Sequence, residues 1–167
     1  MEFDTANLGD EERVPDDTLI QIYALVFGAL RSRQIVRTKN VVGDLGERYV
    51  ESVFNRLDNL PNIELAPPNS KHIDATDVLG QTYAIKSLSG RVVRTGSFHF
   101  PSDYQEANRA FDFLLVVILD DNMDLRAIHQ FTWEQFWRNK SWSKTQNAWY
   151  LPLSKKLLSA AKLVYEG

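Results

Sequence analysis

The segment Phe111-Asp112-Phe113-Leu114-Leu115-Val116-Val117-Ile118-Leu119 constrains the fold more than any other part of the chain. A run this apolar offers no polar face to water. Asp120-Asp121-Asn122 follows it and turns the chain. A short apolar run ended by turn residues predicts a central strand buried on both faces. The chain has 167 residues, 44% of them hydrophobic, which suits one domain with a substantial core. Cysteine is absent, which excludes a disulfide scaffold and a cysteine-based zinc fold. The other apolar stretches are no longer, and none reaches bilayer length. Met1 to Pro15 is acidic and lacks an apolar run, so no secretory signal is expected and the cytoplasm is the expected compartment.

The remaining elements fall around that strand. Residues 1–15 read as a flexible acidic leader and 16–167 as the folded domain. Asp16 and Asp17 open a helix in which Ile20, Tyr23, Phe27 and Leu30 recur at helical spacing. A second helix is expected from Val41 to Leu57, with Gly43 and Gly46 permitting close approach of another segment. Pro61 to Ser70 reads as a loop. His72 to Val78 and Thr82 to Leu88 then form a hairpin around Leu79-Gly80-Gln81. An exposed basic loop covers 89–97, and a short helix is expected over 102–110. After the central strand come a strand at 125–129, a capping box from Thr132 to Gln135 and a brief strand at 149–151. Ser154 caps a final helix to about Val164. The order predicts an α/β domain with a mixed central sheet flanked by helices.

The formal net charge of −3 hides an asymmetry. Residues 1–17 hold seven acids against Arg13 alone, a net of −6, which leaves +3 on the rest. A mildly basic domain is compatible with a polyanionic partner.

The informative stretch runs from Ser70 to Ser87. Asp74 lies on one strand of the hairpin and Lys86 on the next, twelve residues later. A lysine inside an otherwise apolar strand is costly without a partner. Ala84 and Lys86 share a face, because side chains repeat every second residue along a strand. Asp77 belongs to the turn or to a second metal. His72 and His129 read as structural, and the tryptophans as packing.

This pattern resembles the PD-(D/E)XK nuclease superfamily, in which an acid precedes (D/E)-X-K on the adjacent strand. Asp74 and Ala84-Ile85-Lys86 occupy those places. Residues 74–87 are similar to the active-site hairpin of small homodimeric type II restriction endonucleases of the Pvu type. The run Arg37 to Glu47 resembles the opening of other restriction-like domains. The resemblance implies a restriction-endonuclease-like core and a Mg²⁺ cofactor held by Asp74. Lys86 would position or deprotonate the attacking water. It implies a double-stranded DNA partner, a homodimer built partly on the first helix, and base reading from Arg91, Arg94, Ser97 and His99. Arg37 and Lys39 are further candidates for contacts to the DNA backbone.

Ala84 departs from the pattern, because alanine cannot bind a cation. Three explanations stand: the acid has moved to the second helix, with Glu47 ahead of Glu51; the chain is an inactivated variant; or it binds without cutting. The alternative functions are a junction resolvase or repair nuclease on the same core, and a non-catalytic DNA-binding domain.

Overall fold

The structure is a computed structural model that describes residues 14–67, 70–90, 93–101 and 103–167. Phe113–Leu119 forms a strand, and four of its side chains, Leu114 to Val117, are fully buried. It lies inside a six-stranded sheet of order β1-β2-β3-β4-β5-β8. These strands are β1 (Ile63–Leu65), β2 (Ala75–Asp77), β3 (Thr82–Ser89), β4 (Phe113–Leu119), β5 (Leu125–Thr132) and β8 (Lys162–Glu166). A separate antiparallel pair joins β6 (Ser141–Ser143) to β7 (Ala148–Tyr150). The helices are α1 (Asp16–Ser32), α2 (Val41–Arg56), α3 (Trp133–Asn139) and α4 (Lys155–Ala160).

The sheet is mixed. β3 and β4 run parallel, with Ala84 opposite Leu114 and Lys86 opposite Val116. The other neighbours are antiparallel. Asp112, the polar residue in the apolar run, ties the starts of the parallel pair together. Its carboxylate accepts from the Thr82 amide at 2.7 Å and the Thr82 hydroxyl at 2.8 Å.

Alternation along the strands divides the core into two layers. On one face Val50, Val53 and Phe54 of α2 pack on Tyr83, Ile85, Leu115 and Val117. On the other, Ala84, Leu88, Leu114 and Val116 meet an aromatic layer of Phe98, Phe111, Trp133 and Phe136. Gly46 lets α2 approach β3, because a Cβ there would collide with the Ser87 side chain. Gly43 has a different reason: a Cβ would collide with its own N-cap, Asn40.

Several expectations are corrected. The segment expected as a loop from Pro61 contains β1, an edge strand. The strand expected from His72 begins only at Ala75, because His72 sits in the left-handed region at φ 62°. The helix expected over 102–110 is a single 3₁₀ turn at Glu106–Asn108. The final helix ends at Ala160, and the residues expected to extend it form β8. Ala161 is already extended at ψ 157°, which breaks the helix.

The chain divides into two units, Met1–Arg37 and Thr38–Gly167. In the first, α1 buries none of its residues. Leu19, Ile20, Ile22, Tyr23, Leu25 and Val26 are each about half exposed or more. No helix among the described residues is long and apolar enough to cross a membrane.

Candidate active site

The β2–β3 hairpin has a closed end and an open end. At the closed end Asp77 is 6% exposed. Its Oδ1 accepts from the amides of Leu79 at 2.8 Å and Gln81 at 2.9 Å. Its Oδ2 accepts from the Tyr83 hydroxyl at 2.8 Å. Burial and this bond raise the Tyr83 phenol well above its ordinary value. Gly80, at φ 81°, completes the turn. Asp77 is therefore the turn acid, and each of its oxygens already accepts from the hairpin.

At the open end the two strands part. The ladder stops at Ala75 opposite Tyr83, with one further bond from the Asp74 amide to the Tyr83 carbonyl at 2.8 Å. The Ile85 amide then donates to Asp74 Oδ2 at 2.7 Å. A side chain has replaced the backbone partner, which fixes the carboxylate where the strands diverge. Among the described residues its second oxygen makes no hydrogen bond of this kind, and Asp74 lines a polar cleft.

Asp74 and Lys86 open into one polar cleft of about 400 Å³. Asn40 and Glu47, from the start of α2, form one wall, and Ser97 and His99 form another. Asn40 caps α2 by accepting from the Gly43 amide at 3.2 Å. Asp44, 4% exposed, accepts from the Thr38 amide at 2.7 Å and holds the approach to the helix. That makes Asp44 a first-turn structural acid. Glu47 lines the cleft, whereas Glu51, paired with Arg48 at 2.8 Å, does not.

The segment carrying Ser97 and His99 is held from behind. Phe98 exchanges backbone bonds with Trp149 at 2.7 and 2.9 Å. Thr95 bonds Leu151 through its amide and its hydroxyl. Ser97 donates to the Gln146 side chain at 3.0 Å, so the exposed β6–β7 turn adjoins the cleft. Arg94 lies over the Tyr150 ring at 4.9 Å and does not line the cleft. Arg91 lies outside the described residues. Lys39 is exposed beside the α2 cap, whereas Arg37 belongs to the N-terminal unit.

His72, read from the sequence as structural, also reaches this site. Its ring packs on Phe100 at 4.6 Å, and it shares a small cavity with Asp74, Ala84, Lys86 and His99. Burial pushes its pKa below the ordinary histidine value; Lys71, Lys86 and His99 lower it further, while Asp74 opposes them. Its position two residues before Asp74 was the available signal. Gln146 gave none, because only the hairpin brings it to Ser97.

The donor set is hard oxygen, from Asp74 and Glu47, which suits Mg²⁺. That ion binds one or two carboxylates and keeps several waters. Among the described residues no three of His, Asp and Glu gather as a ready-made cage. A groove of similar volume along β1 is lined by Ile63, Leu65 and Val78 with Glu64 and Asp77, and by no lysine, arginine or histidine. No family model matches the chain, and no curated protein matches it in sequence.

Proposed function

We propose that this chain is a sequence-specific double-stranded DNA endonuclease of type II restriction character, built on a restriction-endonuclease-like core and working in the cytoplasm. The observation that carries the reading is the convergence of Asp74 and Lys86 in one cleft where β2 and β3 part. Asp74 and Glu47 would hold Mg²⁺, which when bound supplies phosphate polarisation and a water of lowered pKa. Asp74 is oriented for this by the Ile85 amide. Lys86 orients the attacking water and neutralises charge building on the phosphate. Ser97 and His99, beside the cleft, enter a groove and contact base edges. Arg94, outside the cleft, serves base edges or phosphates, and Arg91 remains a candidate for the same contacts.

Cutting both strands of a palindrome calls for two such sites about a two-fold axis, hence a homodimer. The unburied apolar side chains of α1 supply part of the contact. Position 84 contributes no oxygen, so cutting by the unsubstituted chain is weak or absent. That same alanine favours a second reading, a domain that binds DNA without cleaving it.

The test is Ala84→Glu incubated with phage genomic DNA and Mg²⁺. Discrete bands are expected. Failure to cut any of many DNAs moves the assignment to a binding domain. Preference for a branched junction over linear duplex moves it to a junction resolvase or repair nuclease.

A further inference from the structure

Ala84 and Lys86 point to the same side of β3, and between them and residues 97–99 lies a cavity of about 170 Å³. Ala84 is 2% exposed, so its methyl forms the floor. Asp74, Lys86, His72 and His99 form the rim. That rim carries more nitrogen groups than carboxylates. A single carboxylate, already bonded to the Ile85 amide, faces an ammonium and two imidazoles. Lys86 makes no ion pair among the described residues, and its ammonium lies 5.0 Å from the Phe98 ring centroid. A ring face offsets a half-buried ammonium less well than an anion does. Alanine keeps the space open, and the volume admits a ligand of a few heavy atoms with some water.

We propose that the cavity over Ala84 is a binding site for a small carboxylate, of formate or acetate size, held by Lys86 and flanked by His72 and His99. The bound carboxyl occupies the place that a glutamate side chain at position 84 would reach. It sets a second oxygen donor beside Asp74. The consequence for catalysis, completion of the cation site by a solute, rests on the nuclease reading. The binding itself does not.

The experiment titrates sodium formate into the metal-free full chain and follows backbone amide signals, with sodium chloride as the ionic-strength control. Saturable shifts are expected at residues 84–86 and 97–99, with a dissociation constant in the millimolar range that so few atoms allow. Lys86→Met weakens binding by about tenfold or more. Ala84→Glu abolishes it, because the new side chain fills the cavity. Ala84→Val does the same with an apolar group and covers the case in which the glutamate variant fails to fold. Shifts that do not saturate, that chloride reproduces, or that survive both Lys86→Met and Ala84→Val overturn the proposal. Cleavage separates the two readings. Formate that binds, with no cutting by Ala84→Glu, leaves the site standing and the nuclease reading refuted. Cutting by Ala84→Glu without formate binding does the reverse.

Discussion

Asp74 and Asp77 stand at opposite ends of the same short strand, and they do different work. Asp77 is enclosed, and two amides and a phenol consume its oxygens. Asp74 is half-buried, accepts from the Ile85 amide, and lines a polar cleft. Both are aspartates near β-branched and aromatic neighbours, so residue type does not separate them. What separates them is whether the backbone around each is closed or parted. A closed hairpin end uses a carboxylate to satisfy its own turn. A parted end leaves backbone donors that fix a carboxylate while sparing an oxygen for a ligand.

Substitution tests that contrast, beginning with the largest effect. In the Ala84→Glu background, Lys86→Met should lower cleavage by about 10²–10⁴-fold, the range for loss of a group acting on the nucleophile. Thermal unfolding should change little, because the ammonium makes no ion pair among the described residues. Equal losses of activity and stability would make Lys86 a structural residue. At the closed end, Asp77→Ala should cost about 3 kcal/mol of stability in chemical denaturation, because it orphans the Tyr83 hydroxyl and two turn amides. A loss under about 1 kcal/mol would show that the turn is satisfied some other way.

Gly46→Ala tests the wall behind the site. Helix propensity favours alanine there, yet the collision with Ser87 should make the variant about 2 kcal/mol less stable. A stabilised variant would mean that α2 can retreat from β3.

The smallest effect concerns pH. Burial lowers the pKa of His129, so the unfolded chain binds its proton more readily than the folded one. Stability from this residue is present at neutral pH and falls as pH drops through the ordinary histidine value, about 6.5. His129→Gln should flatten that part of the thermal-stability profile. An unchanged profile would place the acid sensitivity elsewhere.

Much of the fold was legible because local chemistry and burial agree there. The apolar run from Phe113 is the buried β4, Gly80 makes the hairpin turn, and Thr132 with Gln135 forms the capping box. The misread elements lack such agreement. β1 is an edge strand of a few residues between prolines, too short to show a period. β8 continues directly from a helix, and Lys162-Leu163-Val164-Tyr165 fits either period over so short a span. At the site, spacing alone marked Asp74 and Lys86. His72 lies two residues before Asp74 but reads as structural in the sequence, and Gln146 gives no signal, because only a distant hairpin brings it to Ser97.

On the proposed reading, the parted end of the hairpin is a Mg²⁺-dependent phosphodiester site lacking one carboxylate at position 84. The most direct measurement compares Ala84→Glu with Ala84→Glu/Asp74→Asn on supercoiled plasmid, with Mg²⁺ and with chelator. The account predicts that the first protein linearises or fragments the plasmid only with Mg²⁺, and that the second is slower by about 10³-fold or more. A folded Ala84→Glu protein that leaves the plasmid intact, or one whose cutting survives the loss of Asp74, would contradict it.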